Sequence, residues 1–259
     1  MNNNSIPILF QDERRNLIVP GDTGTTLAFC VEHWLSTAET AIKKQGRFAV
    51  ALSGGSTPHA IYQNLTKPEC MKRVDWSKVV LFWSDERAVP PAHPESNFHM
   101  AMQAGLAKLP IPSSNIFRME AEKEIEKSAE SYEKKIKTAL KGASFDLMML
   151  GVGEDGHTAS LFPETDALTV EDRLVVANFI PQKKCWRMTL TFSCINQAEK
   201  IVLYVLGKNK QEIIFKIFHP DEKSEALPVQ RVGTQAHPAL WIADQDAAER
   251  LATQCNKKK

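Results

Sequence analysis

The chain has 259 residues, 43% of them hydrophobic, enough to build a buried core in one large domain or two small ones. Its 32 Lys and Arg against 31 Asp and Glu leave a net charge of +1. No broad field therefore draws it toward nucleic acid or an anionic membrane, and any anion site must be local. No stretch approaches the ~20 apolar residues of a membrane span, and Met1 to Phe10 lacks the basic region and long apolar run of a secretion signal. Cys30, Cys70, Cys185, Cys194 and Cys255 are an odd, scattered set without a C-x-x-C pair. They suit reduced thiols in a cytoplasm better than a disulfide framework, and nothing nearby supports Cys185 as a nucleophile.

In chain order, Leu27, Val31, Trp34, Leu35, Ala38 and Ile42 recur at helical spacing and predict a helix from Thr25 to Lys44, stopped by Gly46. Phe48 to Leu52 reads as a strand. Ser53-Gly54-Gly55-Ser56-Thr57-Pro58 then forms a glycine turn into a second helix, with a hydroxyl as N-cap candidate and a proline suited to the first helical position. Val79 to Trp83, Phe145 to Leu150, Ile201 to Leu206 and Leu240 to Ala243 read as further strands. Helices are expected from Glu122 to Leu140, Asn209 to Phe218 and Ala247 to Thr253, and another after Ser96-Asn97. Arg187 to Phe192 alternates, with Arg187, Thr189 and Thr191 on a polar face. The order predicts an α/β layered sheet, mostly parallel, with helices on both faces. No repeat, linker or composition break marks a boundary, so one domain is expected, with its core from about 25 to 251 and Lys257-Lys258-Lys259 as a frayed tail.

Three loops follow predicted strands, where open α/β sheets place ligands. Ser53 to Pro58 exposes backbone N–H groups at a helix start, where partial positive charge favours phosphate; it reads equally as a tight capped turn. Ser84-Asp85-Glu86-Arg87 sets three charges after an apolar strand, either as a site or as a structural ion pair. Gly151-Val152-Gly153-Glu154-Asp155-Gly156-His157-Thr158 is the richest. Its G-x-G-x-x-G fails as a dinucleotide fingerprint, because Pro163 interrupts the helix that should follow and no strand ending in an acidic residue lies ~20 residues on. Asp85, Asp155 and His157 match no familiar metal-ligand spacing. An imidazole titrates near neutral pH, so His157 is either an acid–base group oriented by Asp155 or a hydrogen-bonded structural histidine. Arg187 and Lys210 are either solvated charges or, together with the glycine cradle, a phosphate clamp.

These segments, in this order, resemble the 6-phosphogluconolactonase family. The match runs through Ala51 to Pro58, Ser84 to Arg87 with Ser96-Asn97, Gly151 to Pro163, Arg187 to Thr191, Gly207 to Lys210 and Trp241 to Asp244. The resemblance implies a Rossmann-like fold shared with glucosamine-6-phosphate deaminases, no metal or organic cofactor, and hydrolysis of a phosphorylated sugar lactone in the oxidative pentose phosphate route. It implies His157 as the general base. On that reading Arg87 or nearby N–H groups stabilise the oxyanion, Asp85 and Asp155 orient Arg87 and His157, and Gly54, Gly55, Ser56, Thr57, Arg187 and Lys210 hold the phosphate. Trp186 stands where the family more usually has proline. Arg87, and Ser160-Leu161-Phe162, depart from the aromatic residue and the Phe-Asn-Glu that resemble the deaminases. A sugar-phosphate sensor would need an output module, for which the residues before the first helix are too few.

Overall fold

The computed structural model describes residues 8–219 and 226–257. Met1–Pro7 of the segment read for a secretion signal and Lys258–Lys259 of the predicted tail lie outside them. The strands are β1 (Ile8–Gln11), β2 (Arg15–Ile18), β3 (Phe48–Leu52), β4 (Val79–Trp83), β5 (Asp85–Arg87), β6 (Leu147–Leu150), β7 (Val175–Ile180), β8 (Cys185–Leu190), β9 (Ile201–Val205) and β10 (Ala239–Ala243). Helices α1 (Thr23–Gln45), α2 (Ser56–Leu65), α3 (Pro68–Met71), α4 (Asn97–Gln103), α5 (Ile125–Leu140), α6 (Phe192–Ile195), α7 (Gln211–Phe218) and α8 (Gln245–Lys257) alternate with them. None of these helices is long and apolar enough to cross a membrane.

A seven-stranded sheet runs β1-β2-β10-β9-β6-β3-β4 and is parallel throughout except for the β1–β2 pair at its edge. Every residue of β3, β6 and β9 is buried, which is why these strands read as unbroken apolar runs rather than alternating ones: both faces are covered. The expected α/β layering is thus present. On α1, Trp34 stacks on Trp76 (5.7 Å between centroids) and meets Phe48 edge-on. Large side chains buried to this degree contribute about 1.5–3 kcal/mol each. Asp22 caps α1 by accepting from the Thr25 N–H (2.8 Å), and Gly46 ends it in the left-handed conformation (φ 75°).

Several elements differ from the sequence-based expectation. The hairpin β1–β2 and strand β7 were not anticipated, being short and mixed in pattern. Asp85–Arg87 is a strand rather than a loop and pairs with β8 in a second, antiparallel sheet of order β5-β8-β7. The strand expected to reach Phe192 ends at Leu190, because the Thr191 side chain accepts from the Cys194 N–H and starts α6. Helix α5 begins at Ile125; Glu122, placed in it from the sequence, is instead paired with Arg118 (2.8 Å).

On α5, Glu133 accepts from Lys137 Nζ (2.5 Å), Arg173 Nε (2.8 Å) and the Leu174 N–H (3.1 Å). Burial opposes its charge, but these donors outweigh it and hold the carboxyl at about 2, against an ordinary 4.5. A depressed carboxylate stabilises the fold above its unfolded value, and that contribution is lost as pH falls from about 4.5 toward about 2. Glu133→Gln is therefore expected to melt a few degrees below the parent at pH 7, with the gap closing across that window in thermal melts. A gap that does not change with pH would remove the ion-pair account.

Candidate active site

Strand order reverses between β3 and β6: the chain leaves β3 for β4 on one side and later builds β6, β9 and β10 on the other. Loops leaving the carboxyl ends of parallel strands at such a point diverge and open a crevice. Here the crevice is a cleft of about 270 Å³ lined by Gly54, Gly55, Ser56 and Thr57 after β3, His157 after β6 and Lys210 after β9. Asp85, Arg87 and Arg187 of the small sheet close it. Every site residue predicted from the sequence lines the cleft except Asp155, which touches His157 from behind.

The glycine turn is built to leave backbone donors open. The N-cap of α2 is Gly55 (φ 105°), not a hydroxyl residue, and no side chain caps the helix. Pro58 accordingly sits third in the helix rather than first. The first N–H groups of α2 thus keep their partial positive charge for a ligand. A Cβ on Gly54 would fall 2.0 Å from Asn97 Oδ1, so any side chain there would push Asn97 off its hydrogen bonds to Asp85. Tyr62 braces the turn by donating from its hydroxyl to Ser53 O (2.8 Å) and accepting from Ser53 N–H (3.2 Å).

His157 is held by a tight loop. The Gly153 N–H donates to His157 O (2.9 Å), the Gly156 N–H to Gly153 O (3.0 Å), and the Thr158 hydroxyl to Gly151 O (2.8 Å). Asp155 Oδ1 hydrogen-bonds His157 Nδ1 and also accepts from the His157 main-chain N–H (3.1 Å). Burial opposes the ionisation of Asp155, yet these His157 contacts hold its carboxyl below the ordinary range. With Nδ1 occupied, Nε2 is the ring atom left for chemistry. A Cβ on Gly153 would lie 2.1 Å from the ring, so the second loop glycine is there to make room for the imidazole.

The small sheet brings two cations face to face. Arg87 on β5 is the register partner of Arg187 on β8. Like charges directly opposite are unfavourable, and each arginine also has a buried Nε without a partner among the described residues. Arg87 donates to the Glu95 carbonyl, and Lys210 donates to Val152 O (2.9 Å). These three cations, beside an uncapped helix start, make a setting for an anion.

Asp85 is buried and accepts from Ser160 Oγ (2.6 Å) and Asn97 Nδ2 (3.1 Å); its nearest guanidinium is Arg187 (4.0 Å), not the Arg87 expected from the sequence. Glu86 takes no part in an ion pair among the described residues. It accepts from the main-chain N–H groups of Arg87, Asn97 and Phe98 and from Ser96 Oγ (2.7–2.9 Å), anchoring the start of α4. Burial pushes its carboxyl up, against the pull of those donors. Among the described residues no group of three or more His, Cys, Asp or Glu could hold a metal ion. Cys185 lies outside the cleft lining, and Cys185 and Cys194 are both unbridged. Trp186 pairs with Phe179 across the β7–β8 ladder, so the absence of proline there leaves the start of β8 fully paired.

Sequence reasoning gave no role to Asn97, Ser160 or Phe162. Asn97 links the glycine turn to Asp85, Ser160 links the His157 loop to Asp85, and the Phe162 ring stacks on His157 (3.9 Å between centroids, 13° between planes). All three fall inside motif segments, the one signal that marked them.

A doubly flanked parallel sheet with an uncapped helix start, paired arginines and an Asp-held histidine at its switch point defines a class of α/β proteins whose cleft sets an acid–base group beside a setting for an anion, an arrangement open to several chemistries. Residues 22–241 match the model of the family described as glucosamine-6-phosphate isomerases/6-phosphogluconolactonase, and the chain belongs to that family. It is 44% identical over 243 residues to the 6-phosphogluconolactonase of Chlamydia trachomatis serovar D, covering 94% of this chain and 93% of the relative. It is 36% identical to that of a Nostoc species, covering 92% and 99%. Among solved structures, 6-phosphogluconolactonase from Trypanosoma cruzi superposes with a TM-score of 0.80 at 27% identity, covering 93% and 98%. A monomeric glucosamine-6-phosphate deaminase reaches 0.75 at 18% identity, over 90% of this chain and 98% of its own, and shares the fold.

Proposed function

We infer that this chain hydrolyses 6-phospho-D-glucono-1,5-lactone to 6-phosphogluconate, as one cytoplasmic domain serving the oxidative pentose phosphate route. The observation that carries the chemistry is an Asp155-held imidazole sharing one cleft with the uncapped start of α2. The lactonases it resembles across nearly its full length carry the substrate.

A δ-lactone is an activated ester, so no covalent nucleophile is required. His157 Nε2 takes a proton from the water that attacks C1, while Asp155 stabilises the ring as it becomes charged. Arg87 or the neighbouring loop N–H groups receive the oxyanion. When the C1–ring-oxygen bond breaks, the imidazolium returns its proton to the departing alkoxide, and the cycle closes. Gly54, Gly55, Ser56, Thr57, Arg187 and Lys210 grip the phosphate, so binding energy remote from C1 fixes the carbonyl near the base. Asp85 orients Arg187 rather than Arg87.

The test is a coupled assay in which the lactone is generated enzymatically and its loss is followed with and without the protein, beside a glucosamine 6-phosphate control. Lactone loss well above the spontaneous rate, with no ammonia from the amino sugar, is expected. Ammonia release with no lactone effect would transfer the chain to the deaminases.

A further inference from the structure

Phe162 is 1% exposed, yet it is not part of the contiguous hydrophobic core that joins the large sheet to its helices. Polar groups lie against its ring. The His157 imidazole lies flat on it at 3.9 Å, Arg187 Cζ is 5.7 Å from its centroid and Lys183 Nζ 5.8 Å. The loop that delivers it is costly to form: Ala159 (φ 47°) and Glu164 (φ 61°), on either side, are both in the left-handed region that penalises residues with a Cβ. A turn closed by the Leu161 N–H to Thr158 O (2.9 Å) then folds the chain back under the histidine. Core filling does not require such a path.

The imidazole needs what this ring supplies. Asp155 holds His157 at one atom, Nδ1, and a ring held at one atom can still swivel about that bond. Gly153 leaves room for the ring on one side, where a Cβ would come within 2.1 Å, and Phe162 offers a flat surface to it. Together they fix the plane in which Nε2 must meet water. Arg187 approaches the same aromatic ring, so the base and one cation of the anion clamp are referenced to a single rigid group.

We propose that Phe162 is a positioning residue for the reaction, holding the plane of the His157 imidazole and setting it in register with Arg187. The proposal rests on His157 being the base. Its experiment compares kcat and KM of the parent, Phe162→Leu, Phe162→Tyr, His157→Gln and the His157→Gln/Phe162→Leu double variant, with spontaneous hydrolysis subtracted and melting temperatures recorded.

Phe162→Leu is expected to lower kcat about 10-fold with KM nearly unchanged, since misaligning a base by a fraction of an ångström costs rate rather than affinity. Phe162→Tyr keeps most of the rate. In the His157→Gln background the leucine has no further effect, because Phe162 acts through the imidazole. In the proton spectrum of the folded parent, the His157 ring signals are displaced upfield by the stacked phenyl, a reading that survives even if the leucine variant does not fold. An equal fold-loss in both backgrounds, a loss confined to KM, or undisplaced His157 signals would overturn the proposal while leaving the base in place. Full activity of His157→Gln would overturn the base and this proposal with it.

Discussion

His157→Gln is expected to lower kcat/KM on the phosphorylated lactone by about 10²-fold or more, with little change in melting temperature. The imidazole side chain is a quarter exposed, and its one hydrogen-bond partner among the described residues is Asp155, so its removal opens no cavity in the core. The glutamine fills part of the same volume and its amide N–H can still donate to the Asp155 carboxylate, but it cannot take up a proton near neutral pH. What is lost is therefore the proton transfer itself. The rate above spontaneous hydrolysis is the quantity to measure, because the substrate opens slowly unaided. Asp155→Asn should fall between parent and glutamine, since it retains a hydrogen bond to Nδ1 but no charge to balance the imidazolium. An unchanged rate for His157→Gln would take the residue out of the mechanism.

Arg187→Ala is expected to raise KM for the phosphorylated lactone by about 10–100-fold, the range of one lost charge-assisted contact, with a smaller effect on kcat. On the proposed clamp, Lys210 and the start of α2 would remain to hold the phosphate in the variant. Because Arg87 and Arg187 face each other in the ladder, removing one relieves repulsion, which offsets the counter-charge that buried Asp85 loses, and the net change in stability of the ligand-free protein should be small. Inorganic phosphate should raise the melting temperature of the parent well above that of the variant, since a ligand stabilises only the state that binds it. The same loss of activity on an unphosphorylated lactone would mean that Arg187 serves the carbonyl end or the scaffold, and the clamp would fall.

Strands β3 and β4 were legible in the sequence at the bounds the structure shows, because strands buried on both faces leave an unbroken apolar run between a helix stop and a turn. Strand β5 was not. Two carboxylates and a guanidinium read as a loop, and they are tolerated in a buried strand only because α4 supplies N–H donors to Glu86 from eleven and twelve residues downstream. Nothing local announces such a partner. The four-residue strands of the hairpin β1–β2 were too short for periodicity to separate from noise, and β7, VVANFI, neither alternates nor runs unbroken. At the site, residues with distinctive chemistry beside glycines were visible as motifs. Their supports were not: Ser160 finds Asp85 across 75 positions, and Phe162 looks like any apolar residue until the turn places it under the imidazole.

Ser84 joins the two sheets, its N–H donating to Leu52 O and its carbonyl accepting from the Leu190 N–H, both at 2.8 Å. The cradle accordingly belongs to the large sheet and both guanidiniums to the small one. On the proposed clamp, a dianion gripped from both sides would span that seam like a rivet, and the cargo itself would complete the rigidity of the machine. A sugar acid lacking its charged tail would leave the seam loose, and would forfeit speed as well as grip.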